Sequence, residues 1–340
     1  MNLKKSLGMA AIAAATGFAA SNASAVLVDP DGPGGRDGAI RIDVIDFAPG
    51  NVIATCVDCI PIDPSGPQNS VPNADVDSIL DNYGHSTTSA LLRNGVVASS
   101  ANFGSNYEWT ISYGFQDAIL FTGPGSSTNI VTAGPSWFEI YYDSDTDANN
   151  LTGENFDDGT LILAGTFDPF NGLENFTSFQ GLVCGDPNAA IAIPCADLDG
   201  FGIDNYPAID TVSGTGGGNL NVTVTFQNDD FFLSEVESLQ LPVDTLLALN
   251  YDQVNPSSCF DSAAGQNGAD FLGAGNGLGA CDAAGTPTGS IGPVNGLFGP
   301  NIIFQTDASA AIPGVPEPTT LALMGLGLAG LGYRRKARRA

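Results

Sequence analysis

Leu220-Asn221-Val222-Thr223-Val224-Thr225-Phe226-Gln227 alternates one apolar with one polar side chain through its whole length. A two-residue period is the signature of a strand that shows one face to a core and the other to water. Its Val, Thr and Phe side chains also suit a pleated, half-buried backbone. Working outward, similar stretches run Ile40 to Phe47, Tyr107 to Phe115, Ser136 to Tyr142, Thr160 to Phe167, Phe231 to Leu239, Leu246 to Asp252 and Asn301 to Thr306. Turns rich in Gly, Pro, Asn and Asp separate them, and no long amphipathic helix lies between. Many short strands over about 290 residues predict an all-β class, a large β-sandwich or jelly roll, as one domain or two packed sub-domains. Asn255 to Pro300, dominated by Gly, Ala, Ser and Pro, reads as a long loop.

The charge of this domain is extreme. Residues 26 to 315 contain no lysine and three arginines, Arg36, Arg41 and Arg93, against thirty-six acids, a formal net of −33. Nucleic acid, phosphorylated substrates and anionic lipid need clustered cations, so such a surface repels them and attracts metal cations. Thirty of the acids are Asp, which favours loops and turns. Simple solubility is the bland explanation of the charge, but it does not account for the clustering of the acids.

The densest cluster is Asp143-Ser144-Asp145-Thr146-Asp147-Ala148-Asn149-Asn150-Leu151-Thr152-Gly153-Glu154. Asp143, Asp145 and Asp147 at loop positions 1, 3 and 5, Asn149 at the carbonyl position 7 and Glu154 at position 12 match the spacing by which a loop folds around Ca²⁺. Ala148 replaces the usual turn glycine, and the preceding Trp137 to Tyr142 is strand-like, so the expectation is a calcium loop between strands and not a helix-loop-helix hand. The alternative is a polar hairpin loop with solvated carboxylates. Asp197-Leu198-Asp199-Gly200, with Asp204 beyond, and Asp29-Pro30-Asp31-Gly32, with Asp37, are shorter of ligands, and both spacings equally suit Asx or glycine turns.

Six cysteines, Cys56, Cys59, Cys184, Cys195, Cys259 and Cys281, fit an oxidising compartment with three disulfides. Pairing neighbours in sequence closes the smallest loops, which nominates Cys56 with Cys59, Cys184 with Cys195, and Cys259 with Cys281. Catalytic signals are thin. His85 is the sole histidine, in Asn82-Tyr83-Gly84-His85-Ser86, and reads as an exposed loop imidazole; a nucleophile relay through it needs Ser and Asp partners that the sequence does not place. Trp109, Tyr113, Trp137, Tyr141 and Tyr142 are able to stack on sugars, yet aromatics on alternating strands more often fill a core.

The two ends decide topology. Lys4 and Lys5, the apolar Leu7 to Ala20, and Ala23-Ser24-Ala25 form a secretory signal peptide over residues 1–25. Residues 26–314 are then the exported domain. At the other end Val315-Pro316-Glu317-Pro318 leads into the apolar run Thr319 to Tyr333, and Arg334-Arg335-Lys336-Ala337-Arg338-Arg339-Ala340 closes the chain. A helix breaker, a short glycine-containing transmembrane helix and a cationic stop follow in order, and the basic residues hold that end on the cytoplasmic side.

This tail, residues 315–340 with Pro316, Glu317 and Pro318 as its motif, resembles the PEP-CTERM sorting signal. The resemblance implies handling by an exosortase and the secretion machinery, a transient tether in the inner membrane, and delivery to the cell surface or extracellular matrix. Residues 137–163, from Trp137-Phe138-Glu139-Ile140-Tyr141-Tyr142 to Thr160-Leu161-Ile162-Leu163, and Gly299-Pro300-Asn301-Ile302-Ile303-Phe304-Gln305-Thr306-Asp307-Ala308 are similar to the flocculation-associated type of PEP-CTERM protein. That likeness implies a non-enzymatic partner of exopolysaccharide in flocs or biofilm. A secreted carbohydrate-active enzyme and a Ca²⁺-dependent lectin-like binding protein are the alternatives, and no nucleic-acid partner is expected.

Overall fold

A computed structural model describes residues 25–56, 79–122, 127–169, 173–178, 196–204, 206, 210–211, 214–247, 254–260 and 301–313. The expected signal peptide over residues 1–25, apart from Ala25, and the expected sorting helix lie outside them. Among the described residues there is no helix, and hence none long and apolar enough to cross a membrane.

The described residues form fifteen strands: β1 (Val26–Val28), β2 (Ile40–Ile42), β3 (Val44–Phe47), β4 (Gly50–Cys56), β5 (Ile79–Arg93), β6 (Val96–Val97), β7 (Glu108–Thr122) and β8 (Ser127–Asp143), followed by β9 (Thr160–Phe167), β10 (Leu173–Ser178), β11 (Ala196–Asp197), β12 (Asp210–Thr211), β13 (Gly214–Gln227), β14 (Ser238–Leu247) and β15 (Asn301–Ala311). The all-β expectation holds. Eleven of the strands, however, form one closed sheet in place of a two-sheet sandwich or jelly roll, while β1 pairs with β2 and β11 with β12 separately. Antiparallel neighbours run β5, β7, β8, β9, β13, β14, β15 and back through β3 and β4 to β5. β9 and β10 occupy successive halves of the gap between β8 and β13, and β3 and β4 divide the gap between β15 and β5. The result is an eight-position barrel. The ring follows the order of the chain except at its closure, where β15 meets the opening strands β3 and β4. Closure removes the unpaired edges that a sandwich of this length exposes.

Eight strands enclose just enough room for side chains to fill the interior. Ile111, Phe115, Phe138, Ile140, Phe167, Leu220, Val222, Leu241 and Val243 do so, leaving a residual cavity of about 40 Å³. Trp109, fully buried, seals one end: its indole Nε1 donates to the Pro30 carbonyl at 2.8 Å, and its ring lies 5.6 Å from that of Phe232.

Two expected strands differ. Phe231 to Val236 form a turn, with the amides of Phe231 and Phe232 donating to the Asn228 carbonyl at 3.1 and 2.9 Å; only Ser238 and Leu239 of the expected Phe231 to Leu239 stretch are strand. Both rings plug the barrel end, so their burial mimics a strand pattern. Of Leu246 to Asp252, the described part is the end of β14.

The larger difference is β5. Its fifteen residues include the segment read as the loop around His85, and its burial is nearly continuous on both faces. Inward, Gly84 lacks a Cβ where the Tyr113 ring crosses. Outward, Asn51, His85, Ser112 and Glu139 are cross-strand partners in one row over β4, β5, β7 and β8, and all four are buried. Asn51 and His85 meet the β8 to β9 connection through Asn150 and Phe156, and His85 meets residues 254–260 through Ser257 and Phe260. His85 therefore is not an exposed loop imidazole. A strand buried on both faces loses the two-residue alternation that betrays a half-buried one.

Candidate functional site

The β8 to β9 connection carries the acid cluster. Because these strands are antiparallel, with Tyr142 opposite Thr160, the loop begins and ends at the same place. Ligand oxygens of Asp143, Asp147 and Asp158 all lie within 4.8 Å of one another. Oxygens on opposite sides of a Ca²⁺ ion at about 2.4 Å are separated by about that distance, so this span suits one such ion. Asp143 and Asp147 belong to the spacing read from the sequence. Asp158 does not; its signal is its place as the last acid before β9, which pairing brings back to the first acid after β8.

The remaining expected ligands are used differently or stand apart from this group. Asp145 donates its amide to the Asp143 carboxylate at 2.9 Å, an Asx turn that orients Asp143. Asn149 Oδ1 accepts the amides of Leu151 and Thr152 at 2.9 and 3.3 Å. Glu154 enters through its backbone, its carbonyl accepting from the Asn149 amide at 3.1 Å. Gly153 takes the left-handed φ of +80° needed to reverse the chain there. At the root of the loop Glu108, partner of Asp143 in the β7 to β8 register, accepts the amides of Asp147 and Ala148 at 2.9 Å each. Thr110 Oγ1 donates to the Phe156 carbonyl at 2.8 Å.

The electrostatics favour a cation. Burial, then repulsion from Asp143 and Asp145, raises the Asp147 carboxyl; burial, then Asp143 and Asp147, raises Asp158. Burial also raises Glu108, against the pull of its two amide donors. Among the described residues no arginine pairs with Asp143, Asp147 or Asp158, so neighbouring carboxylates repel in the absence of a counter-ion.

The acids of the weaker clusters accept hydrogen bonds within the protein. Asp31 Oδ2 accepts the amides of Arg36 and Asp37; Asp37 accepts from Ser100, Asn102 and Tyr107, which lowers its carboxyl, the Ser100 bond contributing most. Asp197 Oδ1 accepts the Asp199 amide at 3.2 Å; Asp199 is buried, Asp204 is exposed, and these acids form no three-residue metal group among the described residues. Trp109, Trp137 and Tyr141 are buried, Tyr113 lies against the barrel core, and Tyr142 is half-buried.

His85 meets a serine from a distant segment. Its Nε2 lies 2.8 Å from Ser257 Oγ, whose proton goes to the Asn150 carbonyl, so Nε2–H is the donor to Ser257. The imidazole stacks on Phe156 at 4.2 Å and lies 5.1 Å from Phe260. Ser257 and His85 are both wholly buried, a clasp that ties β5 to residues 254–260. Next to it Cys259 is disulfide-bonded; the expected pairings of Cys56, Cys59, Cys184, Cys195, Cys259 and Cys281 involve side chains outside the described set.

Where the exported domain goes is decided by its end. Residues 314–336 match the PEP-CTERM protein-sorting motif, which contains Pro316, Glu317 and Pro318. The chain carries a PEP-CTERM sorting signal. No curated protein and no solved structure matches the chain. A PEP-CTERM signal marks an exosortase-sorted extracellular protein with a membrane-anchored precursor.

Proposed function

We propose that the barrel is a non-enzymatic scaffold of the cell surface or extracellular matrix, associated with exopolysaccharide and supporting flocculation or biofilm formation. The observation that carries this is the joining of an exosortase sorting motif to a domain of formal charge −33 without a lysine. Such a domain gathers divalent cations and meets anionic polysaccharide through them, since direct contact is repulsive. Deleting the gene should reduce floc formation and polysaccharide retention, and a deletion strain that flocculates and retains polysaccharide like its parent defeats the proposal.

Within this function Asp143, Asp147 and Asp158 hold Ca²⁺ at the β8 to β9 turn. Extracellular calcium modules bind at about 10⁻⁴ to 10⁻³ M, so 10 mM Ca²⁺ should stabilise the fold by about 2 kcal/mol. The Tm in calcium should exceed that in excess chelator by a few degrees. Asp158→Asn sharpens the test, because it removes both a ligand and a repelling charge: in chelator it should melt no lower than wild type, and calcium should no longer raise its Tm. A wild-type melt indifferent to calcium and chelator removes the metal from the account.

A further inference from the structure

Beside the calcium turn lies an open cleft of about 540 Å³ lined by Thr146, Asp147, Asn149, Asn150, Phe201 and Asn255 among others. Three distant segments build it. Residues 254–260 are tied to the β8 to β9 loop by the Ser258 amide and hydroxyl, both donating to the Leu151 carbonyl at 2.9 and 3.1 Å, and by Ser257 donating to Asn150. The turn bearing Phe201 is held by Tyr206, whose hydroxyl donates to the Ser257 carbonyl, and by Gly202, whose φ of +78° and missing Cβ let it close on the Asn255 amide. The walls are thus fixed before any ligand arrives.

Its chemistry is that of a saccharide site. Phe201 is 45% exposed and Ile203 close by in sequence is 63% exposed, an apolar surface that a folded chain leaves in water only at a cost. Two carboxamides of the same lining, Asn149 and Asn150, keep spare hydrogen-bonding capacity among the described residues. Asn150 Oδ1 is shielded from solvent with no hydrogen-bond partner among the described residues. Asn149 spends its oxygen on the loop, and among the described residues its amide nitrogen has no partner. A second cleft of similar size, holding the equally exposed Phe226, differs on this point: its Gln227 amide is already bonded to Asp229, Phe232 and Val236. A pyranose offers the matching pair of surfaces, a C–H face for an aromatic ring and an edge of hydroxyls for carboxamides and a carboxylate. No lysine or arginine lines the cleft, so an anionic sugar finds a counter-charge there only through a cation held at Asp147, whereas a neutral sugar needs none.

We propose that this cleft binds a neutral saccharide, with Phe201 stacking on the ring and Asp147, Asn149 and Asn150 engaging its hydroxyls. The proposal rests on the matrix reading and adds a direct contact with neutral saccharide to its cation-bridged ones. To test it, protein recovered from the cell surface is titrated calorimetrically with neutral hexasaccharides of glucose, galactose, mannose and N-acetylglucosamine, and with a galacturonate hexamer with and without Ca²⁺. At least one neutral hexasaccharide should bind, and Phe201→Ala should weaken it about tenfold while Phe226→Ala leaves it unchanged. Failure of every neutral hexasaccharide to bind overturns the proposal, as does an unchanged affinity in Phe201→Ala. Binding of galacturonate alone, and only with Ca²⁺, also overturns it yet leaves the matrix reading intact, because that reading stands or falls on the deletion strain.

Discussion

At pH 4.5 the His85 clasp is expected to make the fold about 3 kcal/mol less stable than at pH 7. Complete burial among Phe156, Phe260 and Ser257 pushes the imidazole down to about 3 from its usual 6.5. Between those two values the unfolded chain binds a proton that the folded chain refuses, so stability falls as pH drops through 6.5 and stops falling near 3. Carboxyls held above their usual range by burial, Asp81, Glu108, Asp147 and Asp158, act in the opposite sense, since the folded chain takes up their protons first. The buried Glu139 shares the row of His85, with Ser112 between them. Comparing wild type with His85→Gln cancels these other groups. Guanidinium unfolding at pH 4.5, 5.5 and 7 should show the gap between the two proteins changing by about 3 kcal/mol across the series. A gap independent of pH would show that the imidazole is not clasped.

Gly153→Ala should have an effect of similar size, about 3 kcal/mol, through one methyl group. Residue 153 sits at φ +80°, and a Cβ there would overlap the Cys259 backbone carbonyl, with His85 Cε1 only 3.3 Å away. Residues 254–260 must lift to admit it, and their bonds to Asn150 and Leu151 then break. Gly104→Ala supplies the control, with a similar φ of +72° but open space around it; only backbone strain of about 1 kcal/mol applies there. The single histidine gives a direct readout by NMR. Its ring protons should not titrate between pH 5 and 8 in wild type, and should titrate near 6.5 in Gly153→Ala. Equal losses for the two alanines would mean that the cover is not packed as described.

The strands were legible where residue type announced them: the alternating Leu220 to Gln227 lies within β13, and Thr160 to Phe167, a short apolar run bounded by turn residues, coincides with β9. β5 was hidden by its covering. When Asn82, His85, Ser86 and Thr88 are as buried as Leu91, polarity no longer reports which face meets water. The acid loop was half visible. Loop spacing locates Asp143 and Asp147, but Asp158 joins them through strand pairing, and spacing within a helix-flanked calcium loop pointed to Glu154 instead. His85 and Ser257 are separated by 172 positions, and no local pattern relates them.

By itself, the sequence determined that the chain is β-structured, that residues 26–315 are polyanionic, and that a PEP-CTERM signal ends the chain. These properties reside in residue type and short-range order. Only the tertiary structure decided that the strands close into a ring, that three aspartates share a turn, and that His85 lies beneath residues 254–260. Each depends on which distant segments pack together, and packing is selected by the burial of the whole chain, because no single stretch gains enough by folding alone to choose its partner.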